Sequence, residues 1–155
     1  MRVGITGVNG FLGGEVSKRL NDLGHLVVPL DSITRKEFSA IKIQESNLND
    51  LDWVLHFGSK TSIPDSQNDP FSTYASNISS TLSALKIAEK TKSSFLLMSS
   101  FVYGSHHYVP IDEKHPVSAS NPYMSSKIIS EEICTHITKS NNVPLIILRG
   151  FNIYG

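Results

Sequence analysis

Residues 4–14 read GITGVNGFLGG, and their reading decides the fold. Gly7, Gly10 and Gly13 recur three residues apart. They follow an apolar stretch, Arg2–Thr6, that suits a strand. They open a segment, Phe11 to Leu23, whose Leu12, Val16, Leu20 and Leu23 fall on one side of a helix, with Gly24 placed to stop it. A strand that turns through glycines into a helix suits phosphate binding. Glycine permits the tight turn and lets the backbone approach a pyrophosphate, while the helix start offers unpaired N–H groups and the positive end of its dipole. The spacing differs from the plain G-x-G-x-x-G fingerprint, so context decides. A second apolar strand, His25–Leu30, ends at Asp31, whose carboxylate suits the two hydroxyls of an adenosine ribose. A glycine turn used only for packing explains the glycines but not Asp31. The expectation is a dinucleotide site that favours NAD. Arg35 and Lys36, just past Asp31, would suit the 2′-phosphate of NADP, although a solvated helix start is their simpler role.

Working outward, strands and helices alternate. Asp52–Gly58, Ser93–Ser100 and Val143–Arg149 read as further strands. Asn77–Lys90 reads as a helix with Ile78, Leu82, Leu85 and Ala88 inward. Asn121 followed by Pro122 is an N-cap and a first-turn proline, opening a helix to about Lys139. Apolar strands alternating with amphipathic helices predict an α/β fold, a doubly wound parallel sheet. Residues 32–52 are the ambiguous stretch. Thr34 to Glu37 is a capping box for a helix carrying Phe38 and Ile41, whereas Ala40 to Gln44 equally suits a strand, and one element here is expected to be trimmed.

The bulk numbers agree with one ordinary domain. The 155 residues are 39% apolar and 18% charged, which excludes disorder as the governing feature. Lys+Arg and Asp+Glu each number 14, so nothing predicts attraction to nucleic acid or an anionic membrane, and self-association is compatible with the neutral balance. Met1 leads straight into the first strand with no secretory leader, and no apolar run nears the roughly 20 residues of a membrane span. Cys134 is the only cysteine, so a reducing cytoplasm is the expected compartment. The six histidines have no metal-ligand spacing, and no metal site is expected; His56, in a buried strand, reads as a core histidine.

A second motif, NPYMSSK, puts Tyr123 and Lys127 four residues apart, on one helical face. Free tyrosine, with a pKa near 10, is a poor base at neutral pH. A neighbouring ammonium and a positive nicotinamide ring favour the phenolate. The phenolate can then take a hydroxyl proton as hydride leaves carbon for NAD. Ser99 and Ser100, at the tip of the Ser93–Ser100 strand, face the ligand crevice of such a sheet and suit a hydrogen bond to the same hydroxyl.

Taken in order, Thr6-Gly7-x-x-Gly10-x-x-Gly13, VLHFGSKTS, NISST, MSSFVYG, Tyr123-x-x-x-Lys127 and LRGFNIYG resemble the extended short-chain dehydrogenase/reductase family of nucleotide-sugar epimerases and dehydratases. The stretch VPIDEKHPVSASNPYMSSK is similar to the UDP-sugar 4-epimerase branch. The resemblance covers the whole chain and implies a Rossmann fold over residues 1–155. It matches Gly7, Asn9, Gly10, Phe11, Leu12 and Gly13 to the cofactor-phosphate loop and Asp31 to the ribose acid. It places Phe57, Gly58, Ser59 and Asn77 beside the cofactor, Asn77 as a support from the neighbouring helix. Ser99, Tyr123 and Lys127 match the catalytic residues, with Tyr123 and Lys127 also touching the cofactor. Ser100, Phe151 and Asn152 fall on the substrate side. The implied substrate is a nucleotide sugar such as a UDP-hexose, oxidised at C4 and reduced again on the other face, and a homodimer is the implied assembly. Two departures matter. Asn47-Leu48 stands where the family often has an acidic residue contacting adenine. Ser100 and Phe101 stand where the 4,6-dehydratases carry acids, which argues against dehydration and leaves a 4-epimerase or a 4-keto reductase. The resemblance also implies a substantial C-terminal substrate domain beyond LRGFNIYG, expected to be missing here, so that the chain reads as a cofactor-binding half.

Overall fold

Apolar side chains on successive short segments drive these residues into a single parallel sheet. The computed structural model describes residues 1–31, 48, 50–105 and 107–154. The described elements are β1 (Arg2–Thr6), α1 (Phe11–Asp22), β2 (Leu26–Pro29), β3 (Trp53–His56), α2 (Ile63–Asn68), α3 (Pro70–Thr91), β4 (Ser94–Met98), α4 (Pro122–Asn141) and β5 (Leu145–Leu148). The strands lie in the order β2-β1-β3-β4-β5, all parallel. Among the described residues β2 is an edge strand, where Pro29, with no N–H to give, is tolerated.

The order explains the layers. The chain moves one way from β1 to β2 and the other way from β3 through β4 to β5. Right-handed crossovers then put α1 on one face and α3 and α4 on the opposite face. The topological switch lies between β1 and β3, and ligands of such sheets bind beyond the strand ends there.

The face under α3 and α4 is the main core. Val54, Phe95, Leu97, Leu85, Ile87, Ala88 and Cys134 are fully buried in it. Each large side chain among them contributes about 1.5–3 kcal/mol by leaving water. The seam between α3 and α4 is different in kind. Asn77, Thr81, Ser126 and Ser130 are buried there. Thr81 donates to the carbonyl of Asn77, and Ser130 to that of Ser126, so small hydroxyls satisfy their own helices and let the two backbones approach. On the opposite face, α1 lies against β2 and β1. Leu55, Leu96, Met98 and Leu148 line an open groove of about 1040 Å³ beside it, and Ile146 and Leu148 at the β5 edge are exposed. Among the described residues nothing covers that groove.

Several boundaries differ from expectation. Leu12, Val16 and Leu20 of α1 are only half-buried, and Leu23 at its end is exposed, because Gly24, at φ +78°, turns the chain away there. The helix expected from Asn77 starts at Pro70, where Asp69 accepts from Ser72 N–H as its cap. Helix α2, short and capped by Ser62, was not anticipated. The capping box at Thr34 and the alternative strand to Gln44 fall outside the described residues, as does Asn47.

Candidate functional site

The cavity stands at the switch point, with a volume of about 750 Å³. Its floor is the turn from β1 into α1. The Gly10 N–H donates to the Gly7 carbonyl at 2.9 Å. Gly7 has φ +78°, and a Cβ there would meet Gly58 N at 2.9 Å. A Cβ on Gly13 would stand 2.1 Å from the Gly7 carbonyl oxygen. The turn therefore closes only with glycine at both places, because backbone lies against backbone. Helices α2, α3 and α4 are each capped by a side chain, from Ser62, Asp69 and Asn121, whereas α1 begins at Gly10 with no side-chain cap and no acid in its first turn. Its first turn, Phe11 to Gly13, lines the cavity, and a helix start with free N–H groups suits a phosphate. Asp31 accepts from the N–H groups of Gly7 and Val8, at 2.7 and 3.0 Å. Its carboxylate thus braces the loop, and each oxygen keeps a lone pair for a ribose hydroxyl. These residues fit a dinucleotide.

Behind the wall runs a buried polar chain. Burial holds the His56 imidazole down to about 3, with the Lys127 ammonium adding to the effect, so His56 is neutral. Thr81 spends its proton on the Asn77 carbonyl. His56 Nε2–H therefore donates to Thr81 Oγ1 at 3.2 Å, and Nδ1 accepts from Thr6 Oγ1 at 2.8 Å. Thr6 Oγ1 in turn accepts from Gly58 N–H. One direction of donation satisfies every member and pins Gly58 against Gly7. Asn77 continues the chain. It accepts from Lys60 N–H and donates to the Lys60 carbonyl and to Ser126 Oγ.

The third wall is the start of α4. Asn121 caps it by accepting from Met124 N–H, and Pro122 supplies a fixed first turn. Tyr123 and Lys127 then share one face. Lys127 is buried and its Nζ donates to Ser59 Oγ at 3.4 Å. Desolvation brings its ammonium down to about 8, so it is still mostly charged at neutral pH. Opposite, at the tip of β4, Ser99 is buried and donates to Glu131, which also holds Arg149. Phe101, Tyr103 and Phe151 form an aromatic cluster beyond it, with the Phe101 and Phe151 rings 5.1 Å apart.

The structure brings nearly all the anticipated residues to one cavity. Gly7, Asn9, Gly10, Phe11, Leu12 and Gly13 line it from the loop, and Asp31 from the end of β2. Phe57, Gly58 and Ser59 line it after β3, Ser99 and Ser100 after β4, Tyr123 and Lys127 on α4, and Phe151 after β5. Two do not. Asn77 stands one layer back, holding Lys60 rather than facing the cavity, and Asn152 is exposed without lining it. Sequence reasoning missed Lys60, Thr61, Ser76, Ser80, Met98, Gly150 and Ile153, which do line it. A signal existed for most: Lys60 and Thr61 follow Phe57-Gly58-Ser59, Ser80 lies in NISST, Met98 opens MSSFVYG, and Gly150 and Ile153 flank Phe151-Asn152. Among the described residues no group of three metal-ligating side chains occurs, and no helix is long and apolar enough to cross a membrane.

The fold recurs in known proteins. The model of the NAD dependent epimerase/dehydratase family matches residues 3–155. The UDP-glucose 4-epimerase of Dictyostelium discoideum is 31% identical over 180 residues, covering 99% of this chain and 52% of that protein. The structure of UDP-glucose 4-epimerase from Bifidobacterium longum in complex with NAD+ and UDP is similar at a TM-score of 0.82 and 26% identity, over 96% of this chain and 52% of that one. RMD from Pseudomonas aeruginosa, complexed with NADPH, is similar at 0.79 and 27%, over 97% and 53%. The chain spans about half the length of the relatives it matches.

Proposed function

The chain belongs to the NAD dependent epimerase/dehydratase family, and from that membership we propose that residues 1–155 form the cofactor-binding portion of a nucleotide-sugar 4-epimerase that uses NAD, with NADP as the alternative cofactor and a UDP-hexose as the substrate class. The observation that carries this reading is that Ser99, Tyr123 and Lys127 line the same cavity as the glycine turn and Asp31. Bound there, the nicotinamide supplies an acceptor that takes hydride from the sugar and returns it. Tyr123 holds the proton of the sugar hydroxyl, Lys127 keeps a positive charge beside it, and Ser99 orients the oxygen. Asp31 and the start of α1 take the ribose and the pyrophosphate. Phe101 carries no proton to give, which favours epimerisation or keto reduction over dehydration.

Calorimetric titration with NAD and with NADP tests the cofactor half. Saturable NAD binding that is lost in Asp31→Ala supports it, and binding of neither cofactor removes it. Turnover of UDP-glucose to UDP-galactose that falls about 10²–10⁴-fold in Tyr123→Phe, with NAD affinity kept, supports the catalytic half. NAD binding with no turnover of any sugar nucleotide would instead select a cofactor-binding module without turnover of its own.

A further inference from the structure

Lys127 has to keep its charge in a place that disfavours charge. It is 4% exposed, and an ammonium so buried needs acceptors for its N–H groups. Its surroundings offer few. On β3, His56 is neutral, and its two ring nitrogens are taken by Thr6 and Thr81. On α4, Glu131 is held by Arg149 and Ser99, and burial pushes the Cys134 thiol up to about 12, so it carries no charge at neutral pH. Tyr123 stands one turn earlier and lines the cavity. The buried side chains of α3 are uncharged, and the Lys60 ammonium is turned to Ser72. Among the described residues, the Lys127 ammonium has one hydrogen-bond partner, Ser59 Oγ at 3.4 Å.

The direction of that bond follows from the groups. An ammonium only donates, so Ser59 Oγ accepts. The Ser59 proton is spent on the Lys60 carbonyl, 3.5 Å away. Asn77 fixes this turn from α3, accepting from Lys60 N–H and donating to the same carbonyl.

We propose that Ser59 is a positioning residue for Lys127, taking one of its three N–H groups and leaving the other two for the cavity. A hydroxyl oxygen also stabilises the ammonium over the free amine. Burial brings that ammonium down to about 8, so a single acceptor decides how much of it stays charged in mildly alkaline solution. Ser59 thereby holds the charge that the proposed function places beside Tyr123. The placement of Lys127 stands without that function; the effect on turnover rests on it.

The test has two arms. The first needs no ligand. The side-chain resonances of Lys127, assigned by their loss in Lys127→Arg, are titrated in the wild-type chain, in Ser59→Ala and in Ser59→Thr. The Lys127 pKa is expected to fall by about half a unit in Ser59→Ala, because the charged form loses its acceptor, and to stay near wild type in Ser59→Thr, which keeps the hydroxyl. An unmoved pKa in Ser59→Ala, or an equal fall in both variants, overturns the proposal whatever the protein catalyses. The second arm follows UDP-glucose turnover by the NAD-loaded chain against pH. Turnover that needs a charged Lys127 falls as pH rises through its pKa, and in Ser59→Ala that fall is expected about half a unit lower. A fall at the wild-type pH would overturn the positioning role. If the wild-type chain turns over no sugar nucleotide, the catalytic half of the proposed function fails, and the Lys127 titration alone decides whether Ser59 holds it.

Discussion

The two sides of the cavity are built on different principles. The cofactor side is backbone braced by buried polar groups. Gly7 lies against Gly58 and Gly13, Asp31 ties two loop N–H groups, and Thr6, His56, Thr81 and Asn77 form a satisfied chain behind them. The substrate side ends in exposed side chains, Phe151, Ile153 and Tyr154, beside an open apolar groove. A preorganised half recognises its ligand with little further ordering, whereas an exposed half must order itself on binding. The difference teaches that the wall proposed to hold the cofactor is built into this fold, while the side proposed to meet the sugar lies at its margin.

Substitutions can break that contrast or sharpen it. The largest effect is expected from Gly13→Ala. Its methyl would overlap the Gly7 carbonyl, so stability should fall by about 3 kcal/mol and NAD binding should disappear in calorimetry. A folded Gly13→Ala chain that still binds NAD would mean the cradle is soft. Next comes Asn77→Leu. It removes two bonds to Lys60 and one to Ser126, and urea unfolding should register a loss of about 2–3 kcal/mol although residue 77 does not line the cavity.

Acid should act through His56. Its folded-state pKa lies near 3, below the ordinary 6.5, so the unfolded chain takes up a proton that the folded chain refuses. Stability is therefore complete above about pH 6.5 and is lost as pH falls toward 3, by about 2 kcal/mol at pH 5. His56→Gln should flatten that part of the urea-midpoint profile; an unaltered slope would place the acid sensitivity elsewhere. The smallest effect is expected from Phe151→Ser on the exposed margin, within about 0.5 kcal/mol of wild type in the same unfolding assay. A loss above 1 kcal/mol would show that the margin is as firmly built as the floor.

Much of this was legible in the sequence, and for physical reasons. A backbone-on-backbone turn admits only glycine, so Gly7, Gly10 and Gly13 announce it. A helix repeats its face every three to four residues, so Tyr123 and Lys127 announce their pairing. Ser76 and Ser80 share a helical face and Met98 directly precedes Ser99, but serine and methionine at those places do not by themselves announce a cavity wall as a glycine turn or a Tyr-x-x-x-Lys pair does. Asn77 is placed beside the cofactor by resemblance alone, as a support from the neighbouring helix, and its amide stands one layer back at Lys60. The start of α3 was missed although Asp69-Pro70 is a cap followed by a first-turn proline. Helix α2 has only six residues, too few for a period.

The hydroxyl seam between α3 and α4 has a thermal consequence. Asn77, Thr81, Ser126 and Ser130 bury amide and hydroxyl groups where other helix pairs bury leucine and isoleucine. Exposing polar surface lowers the heat capacity of unfolding, whereas exposing apolar surface raises it. Separating these two helices in a scanning calorimeter should therefore add little to the heat-capacity step. The curve of stability against temperature should be broad and shallow, with the protein losing little of its stability on cooling.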